Sequence, residues 1–391
     1  MKRFFTALAC VCASYTHAQT INIPDPNFKA ALFANWVDDN SNGVIEVSEA
    51  LNTSYLDLNN KGIQDLTGLE HFKYLSTLLC THNAVQSINL SQNKSLRILN
   101  VSHNKLNALD LSNNTWLTFL DCNTNQIQSL DLSKHQSLTE LYAYNNPLTT
   151  LNIGQNSVLG VLTASNTKLT SLDVAGAPNL KDLNVHSGQI AKLNVQNNKA
   201  LRTIIVNSNK IDSLDLTGLT ALEKVEVKNN PLRFLKVDGC SKLQYLDVTK
   251  AAINTLVLNN LPELLSATLT NNGIKKLIVT NNPKLKYLTF NMNNRVDAQL
   301  LNNPSLTNLD CSDNHMTSLD LHGLPALIHL NSANNDFTTL DISTNFQLYS
   351  VNSARGKLTT VKFGYNPYLY SLELQNNALN TLNLVDAPSL G

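Results

Sequence analysis

The sequence predicts a β-rich solenoid of about sixteen rungs with a short α-helical N-terminal cap. Three observations carry this. One 21-residue unit recurs fifteen times in register between Leu75 and Ser389, without insertion or deletion. Its first position is Leu in every copy, and positions 4 and 16 are apolar throughout, as in Leu99, Ile204, Leu111 and Phe363. Position 9 is Asn in eleven copies, including Asn83, Asn104, Asn125, Asn209, Asn314 and Asn377. A fixed period in this range marks a stack of identical supersecondary units.

The period has a physical logic. One unit offers about five inward apolar side chains, each contributing roughly 1.5–3 kcal/mol when fully buried. Ordering its backbone costs at least about 1 kcal/mol per residue. A lone unit therefore does not fold, and each rung must lean on its neighbours. Asn at position 9 sits where the chain leaves the first strand. There its amide can pair backbone groups that the turn leaves unsatisfied inside the coil. Thr167, Gly188, Ala251 and Gly356 interrupt this column and predict looser turns.

The pattern LxxLx(L/C/V)xxNxL, complete in Leu117, Leu120, Cys122, Asn125 and Ile127, resembles the leucine-rich repeat. The 21-residue period is similar to the bacterial class of that repeat, and more specifically to secreted internalin-like proteins of Bacteroidetes. The resemblance spans residues 24–391 and implies a right-handed coil or horseshoe. It does not by itself name a ligand, because this fold hosts many unrelated partners.

Residues 1–18 read as a secretory signal: Lys2 and Arg3, an apolar run from Phe4 to about Ala13, then Thr16-His17-Ala18 before Gln19. Leu8-Ala9-Cys10 offers a weaker, lipoprotein-type alternative. Loss of Lys2 and Arg3 from 29 basic residues, against 29 acidic ones, leaves a net charge of −2. That balance gives no reason to expect a nucleic-acid or anionic-membrane partner, and no later stretch is long and apolar enough to span a membrane as a helix.

Residues 19–52 form a separate cap. Pro24 to Trp36 predicts a short amphipathic helix with Phe28, Ala31, Leu32 and Trp36 on its apolar side. The next twelve residues, Asp38 to Glu49, match the EF-hand calcium loop. Asp38, Asn40 and Asn42 supply side-chain oxygens at loop positions 1, 3 and 5, and Gly43 permits the turn. Val44 offers its carbonyl, Glu46 the water-bridged ninth place, and Glu49 a bidentate carboxylate at the twelfth. A structural Ca2+ is the expected cofactor; an Asn/Gly-rich turn without metal is the alternative. Residues 53–391 are the solenoid, opened by a 22-residue unit, 53–74, with Leu56, Leu58, Ile63, Leu66, Leu69 and Phe72 inward.

Strand alternation places positions 3, 5 and 7 on the concave side. Phe119, Asp121, Tyr142 and Tyr144 cluster there on neighbouring rungs, beside Ile98 and Val161, and are the expected ligand-binding residues. The bland alternative is that strands favour aromatic residues anyway. Lys224, Glu226 and Lys228 read as an ordinary solvated rung. Positions 13 and 15 form a second, mostly polar ladder that includes Asp110, Asp131, Asp173, Asp215, Asp320 and Asp341. Phe234, Lys236, Val257, Lys276 and Ile278 interrupt it and mark a second candidate surface. Arg295 falls on buried position 11 beside Val296, which predicts a bulge that turns Arg295 outward.

Four cysteines follow the signal. Cys80, Cys122 and Cys311 share position 6 on non-adjacent rungs. Two rungs span about 10 Å, beyond the roughly 7 Å a disulfide tolerates, so no bridge between them is expected. His82 and His103 share position 8 on adjacent rungs without an evident third metal ligand. No nucleophile–base–acid set stands apart from the repeat pattern, so no catalytic residue is assigned. The expected function is a non-catalytic, secreted or cell-surface scaffold that binds a protein through its concave face. The alternatives are a glycan-binding surface protein, a non-catalytic module of a larger secreted enzyme, or a surface-layer spacer. Leu390-Gly391 would open a sixteenth copy, which predicts an uncapped last rung prone to self-association. The resemblance implies a C-terminal sorting domain beyond it.

Overall fold

The computed structural model describes residues 19–390, so the expected signal and lipoprotein-type segment, residues 1–18, lie outside the described residues. One strand from each rung joins a single sixteen-stranded parallel sheet, running in order from Tyr55–Asp57 to Ser371–Glu373. The first step pairs Tyr55 with Thr77, 22 residues apart; the next pairs Thr77 with Ile98, 21 apart. With a constant step afterwards, identical positions stack in columns. Leu78, Leu99 and Leu120 of position 4 are all fully buried, as are Leu75, Leu96 and Leu117 of position 1.

Every rung leaves this sheet through the same turn. Position 8 has a left-handed φ of 52–59° in all fifteen repeats. Non-glycine residues rarely adopt this conformation unless their surroundings fix it. Position 9 supplies the fixing. Asn125 donates its Nδ2–H groups to Cys122 O at 3.1 Å and to Val101 O, one rung earlier, at 2.9 Å. Its Oδ1 accepts Leu106 N–H at 2.9 Å. One buried amide thus closes its own turn and ties it to the rung below.

The turns at Thr167, Gly188, Ala251 and Gly356 are not looser, contrary to the sequence reading. Asn166, Ser187, Lys250 and Arg355 precede them with φ of 53–58°, and each donates its backbone N–H to the next rung. The ladder of backbone hydrogen bonds holds the turn where the side chain is missing. Thr167 substitutes its Oγ1–H for the amide, donating to Ala164 O at 3.1 Å. At Gly188 a Cβ would lie 2.7 Å from Asn209 Oδ1, so the next rung's amide fills the space.

A second buried Asn column, at position 19, was not anticipated. Asn93, Asn114, Asn198, Asn282, Asn303, Asn345 and Asn366 are all 0% exposed. Asn198 donates to Val174 O at 2.8 Å and Ala177 O at 2.7 Å. His135 takes this place in repeat 3; it is 2% exposed, and neither ring nitrogen has a hydrogen-bond partner. Burial lowers its pKa.

The far side of the coil carries only short, separate sheets. Position 15 explains this. Asp110 Oδ1 accepts Ser112 N–H at 2.9 Å, and Asp131, Asp173, Asp215, Asp320 and Asp341 make the same two-residue turn. Such turns end a strand. Where Val257 and Ile278 replace the Asx residue, the strands Thr255–Asn259 and Lys276–Thr280 reach five residues and pair along their whole length. At the irregular copy, Arg295 is exposed with φ 56°, and Val296 takes the core place at 4% exposure.

Helices α1, Pro26–Ala34, and α2, Val47–Asn52, close the N-terminal end. Phe28, Ala31 and Leu32 are buried, but Trp36 is 87% exposed, which corrects its place on the apolar side. The helix has ended before it, and Trp36 turns away with φ 60°. Asp25 joins cap to coil. Its Oδ1 caps α1 through Asn27 and Phe28 N–H, and its Oδ2 accepts Gln64 N–H at 2.7 Å and Asp65 N–H at 3.0 Å. Burial raises the Asp25 carboxyl, but these four donors outweigh it and hold it below the usual range. Asn35 pairs both backbone groups of Asp57 at 2.8 and 2.9 Å. Leu56, Leu58, Ile63, Leu66, Leu69 and Phe72 are buried as the sequence predicts. No helix among the described residues is long and apolar enough to cross a membrane.

Candidate binding face

The sixteen-stranded sheet leaves one face uncovered, the face expected to be concave. The structure brings Phe119, Asp121, Tyr142 and Tyr144 together on it. Strands Phe119–Asp121 and Glu140–Tyr142 are direct neighbours, with Asp121 opposite Tyr142. The Phe119 and Tyr142 rings meet at 5.7 Å with a 45° tilt. All four side chains are half-buried, so the patch is more embedded than the sequence suggested. Tyr142 donates its hydroxyl to Glu140 Oε2 at 3.0 Å; burial, then Glu140, pushes its phenol up to about 12. Burial also raises the Asp121 carboxyl, although Asn123 donates its backbone and Nδ2–H to Asp121 Oδ1. Ile98 is more open, at 38% exposure.

Further along the same face, charges close on one another. Lys224 Nζ lies 2.7 Å from Glu226 Oε1, and Lys228 Nζ lies 3.4 Å from both Glu226 and Asp247. Burial would raise the Glu226 carboxyl; Lys224, Asn207 and Lys228 outweigh it and hold it down to about 2.

A third region escaped the sequence reading. Tyr287, Asp310, His329, Asn331, Asn352 and Glu373 line a hollow of about 510 Å³. Beside it Tyr349 and Tyr370 stack at 5.5 Å, and His329 meets Tyr349 edge-on at 6.0 Å. Tyr349 and Tyr370 occupy position 2, outside the alternating set that a single strand predicts to face outward. Their repetition 21 residues apart was the available signal.

The second candidate surface, on the opposite side, is also assembled. Val257 pairs with Ile278 and Thr255 with Lys276. Lys236 Nζ lies 5.4 Å from the centre of the Phe234 ring, beside a hollow of about 450 Å³ that also touches Val257.

In the calcium-type loop, Asp38 accepts Asn42 and Gly43 N–H at 3.0 and 2.9 Å, and Asn42 Oδ1 accepts Val44 N–H at 3.0 Å. Gly43 has φ 83°, the conformation glycine serves. Glu46 accepts the Asn40 and Asn42 amides at 3.1 and 3.0 Å. Glu49 is 3% exposed and meets only N–H donors, from Asp39 and Glu46. The side-chain donor set is therefore all oxygen, with a buried carboxylate that makes no ion pair among the described residues, which suits a hard ion. No three His, Cys, Asp or Glu residues among those described converge closely enough to form a metal site by themselves. His82 and His103 stack at 4.2 Å. Cys80, Cys122, Cys240 and Cys311 are free and buried, and burial raises their thiols.

No family model matches the chain. A 70-residue stretch is 37% identical to internalin J of Listeria monocytogenes serotype 4b (strain F2365), covering 18% of this chain and only 8% of that protein. The solved functional domain of InlJ from Listeria monocytogenes, which includes a cysteine ladder, aligns at 30% identity with a TM-score of 0.71. It covers 88% of this chain and 77% of its own. The chain belongs to the internalin-like leucine-rich repeat family. Internalin-like architecture thus extends over the solenoid, although this chain's position-6 cysteines never fall on adjacent rungs. The Leptospira interrogans leucine-rich repeat protein LIC12759 shares the fold at 22% identity, with a TM-score of 0.61 over 88% of this chain and 96% of that one.

Proposed function

We propose that this internalin-like chain is a secreted or cell-surface, non-catalytic scaffold that holds a protein partner on the open face of its main sheet. One observation carries the reading: Phe119, Asp121, Tyr142 and Tyr144 meet on neighbouring strands of the uncovered face as one half-buried patch, with the Phe119 and Tyr142 rings in contact. Aromatic anchors that are already partly packed lose little freedom on binding, which is the character of interface hot spots. Replacing both Tyr142 and Tyr144 by Ser in the full chain should abolish capture of the partner in a pull-down from solubilised cell-surface proteins. Undiminished capture would sink the reading. The exposed Tyr349–Tyr370 stack beside an amide-lined hollow favours a second reading, glycan capture, which a glycan array with Tyr349→Ala and Tyr370→Ala controls tests directly.

The cap is read as a calcium clamp. Asp38, Asn40, Asn42, Glu46 and Glu49 with the Val44 carbonyl would hold the ion, which would offset the charge of the buried Glu49 and stiffen the joint between α1 and α2. Calorimetry at millimolar calcium should show binding that Glu49→Gln weakens. An EDTA-insensitive melting curve with no heat of binding would reduce the loop to a turn.

A further inference from the structure

The charge on the main sheet is not the charge of the chain. Acidic and basic residues balance at 29 each over the whole sequence. The sixteen strands of the main sheet hold eight Asp or Glu and a single Lys, Lys224. Around Lys224 the carboxylates are answered: Glu226 and Asp247 both sit in ion pairs. In repeats 3 to 6 they are not. Asp121, Glu140 and Asp182 take part in no ion pair among the described residues. Of the basic groups nearby, Arg97 lies 5.9 Å from the Trp116 ring, and His103, which makes no ion pair with Asp121 among the described residues, is the weakest influence on that carboxyl.

Two donors of the same patch are already committed to its carboxylates. Asn123 is 3% exposed and spends its Nδ2–H on Asp121 at 2.6 Å, while its own Oδ1 has no partner. Asp121 is half-buried, so its charge is weakly screened by water and burial already works against it. Tyr142 gives its one proton to Glu140 and presents its ring beside Phe119. Unanswered carboxylates beside aromatic faces are the arrangement that receives an ammonium or guanidinium group: Coulomb attraction from one side, the ring quadrupole from the other.

We infer that the patch formed by Asp121, Glu140, Tyr142 and Tyr144 is a socket for a Lys or Arg side chain of a protein partner. The inference rests on the open-face reading above and adds the chemistry of the occupant. It also separates two regions of one face, because the Lys224–Glu226–Lys228–Asp247 network already supplies its own cations.

The test uses the full chain and short Arg-Ser and Lys-Ser peptides, with a Glu-Ser peptide as the control, in fluorescence anisotropy. Binding of the cationic peptides and not of the acidic one is expected. Asp121→Asn combined with Glu140→Gln should weaken it about tenfold, while Glu263→Gln, on an exposed pair with Lys284 away from the sheet, should leave it unchanged. Melting curves check that each variant folds, and Asp121→Asn is conservative enough to keep the Asn123 contact. Equal binding by wild type and the double variant, or equal loss with Glu263→Gln, overturns the socket, since attraction would then be diffuse. If Tyr142→Ser with Tyr144→Ser loses the pulled-down partner while Asp121→Asn with Glu140→Gln keeps it, the open-face reading stands and the cation socket falls. If the tyrosine variant keeps the partner, the face itself is wrong.

Discussion

Repeats 3–4 and repeats 8–9 present the same backbone to solvent and differ in what their side chains do with charge. Both sets of strands pair in identical register, and both are backed by position-9 amides, Asn125 and Asn230, with matching hydrogen bonds. In repeats 8–9, Lys224, Glu226, Lys228 and Asp247 satisfy one another. In repeats 3–4, Asp121 and Glu140 sit beside aromatic rings and take part in no ion pair among the described residues. A solenoid can thus keep one rung self-sufficient and leave another open to a partner, with the cost of the unanswered charge confined to that rung and its neighbours, because rungs contact only their neighbours.

The largest expected effect tests the shared part of this comparison. Asn125→Ala and Asn230→Ala should each destabilise the chain by roughly 2–3 kcal/mol, since each strands buried carbonyls and an N–H on two rungs. Chemical denaturation followed by circular dichroism measures this. Clearly unequal losses would mean the two regions do not share one scaffold.

The next effect separates the regions by binding. Tyr142→Ser with Tyr144→Ser should cost the partner interaction at least about tenfold with little change in Tm. Lys224→Ser with Lys228→Ser should leave partner affinity intact. A large drop in Tm for the tyrosine variant would instead assign those rings to the core.

The smallest effect concerns pH, and its sign differs between the regions. Glu226 has a depressed folded pKa, so its stabilisation is complete above the usual carboxylate range and is lost as pH falls towards about 2. Asp121 has a raised pKa, so its charged form opposes folding and acidification relieves that opposition. At neutral pH, Glu226→Gln should lower stability by at most about 1 kcal/mol, whereas Asp121→Asn should leave it unchanged or slightly higher. Melting curves at pH 7 and pH 3 read both signs; the same sign at both sites would remove the electrostatic distinction.

Much of the fold was legible because its information is local and repeated. The Leu at position 1, the apolar positions 4 and 16 and the Asn at position 9 are sufficient to set the rung, the core columns and the exit turn. Arg295 was placed outward from its position alone, and the structure agrees. The second Asn column was present in the sequence at Asn93, Asn114 and Asn156, but interruptions at His135, Ala177 and Leu219 hid it. An amide outside a strand carries no period-2 or apolar signature, and its burial appears only when the coil closes over it. Trp36 was misplaced for the opposite reason: helical spacing put it inward, but the helix ended at Ala34.

By itself, then, the sequence determined the stacking of the chain, since a 21-residue period fixes which positions lie inward on every rung. It also set out the loop from Asp38 to Glu49 and the residues of the aromatic patch. Only the tertiary structure decided which charges are answered. Glu226 meets Lys224 and Lys228 of its own rung, and Lys228 reaches on to Asp247 of the next, while Asp121 and Glu140 meet rings and amides. The reason is physical: facing direction follows from local periodicity, but ion pairing depends on rotamers, on which side chains of the same and the next rung converge, and on how much water remains between them.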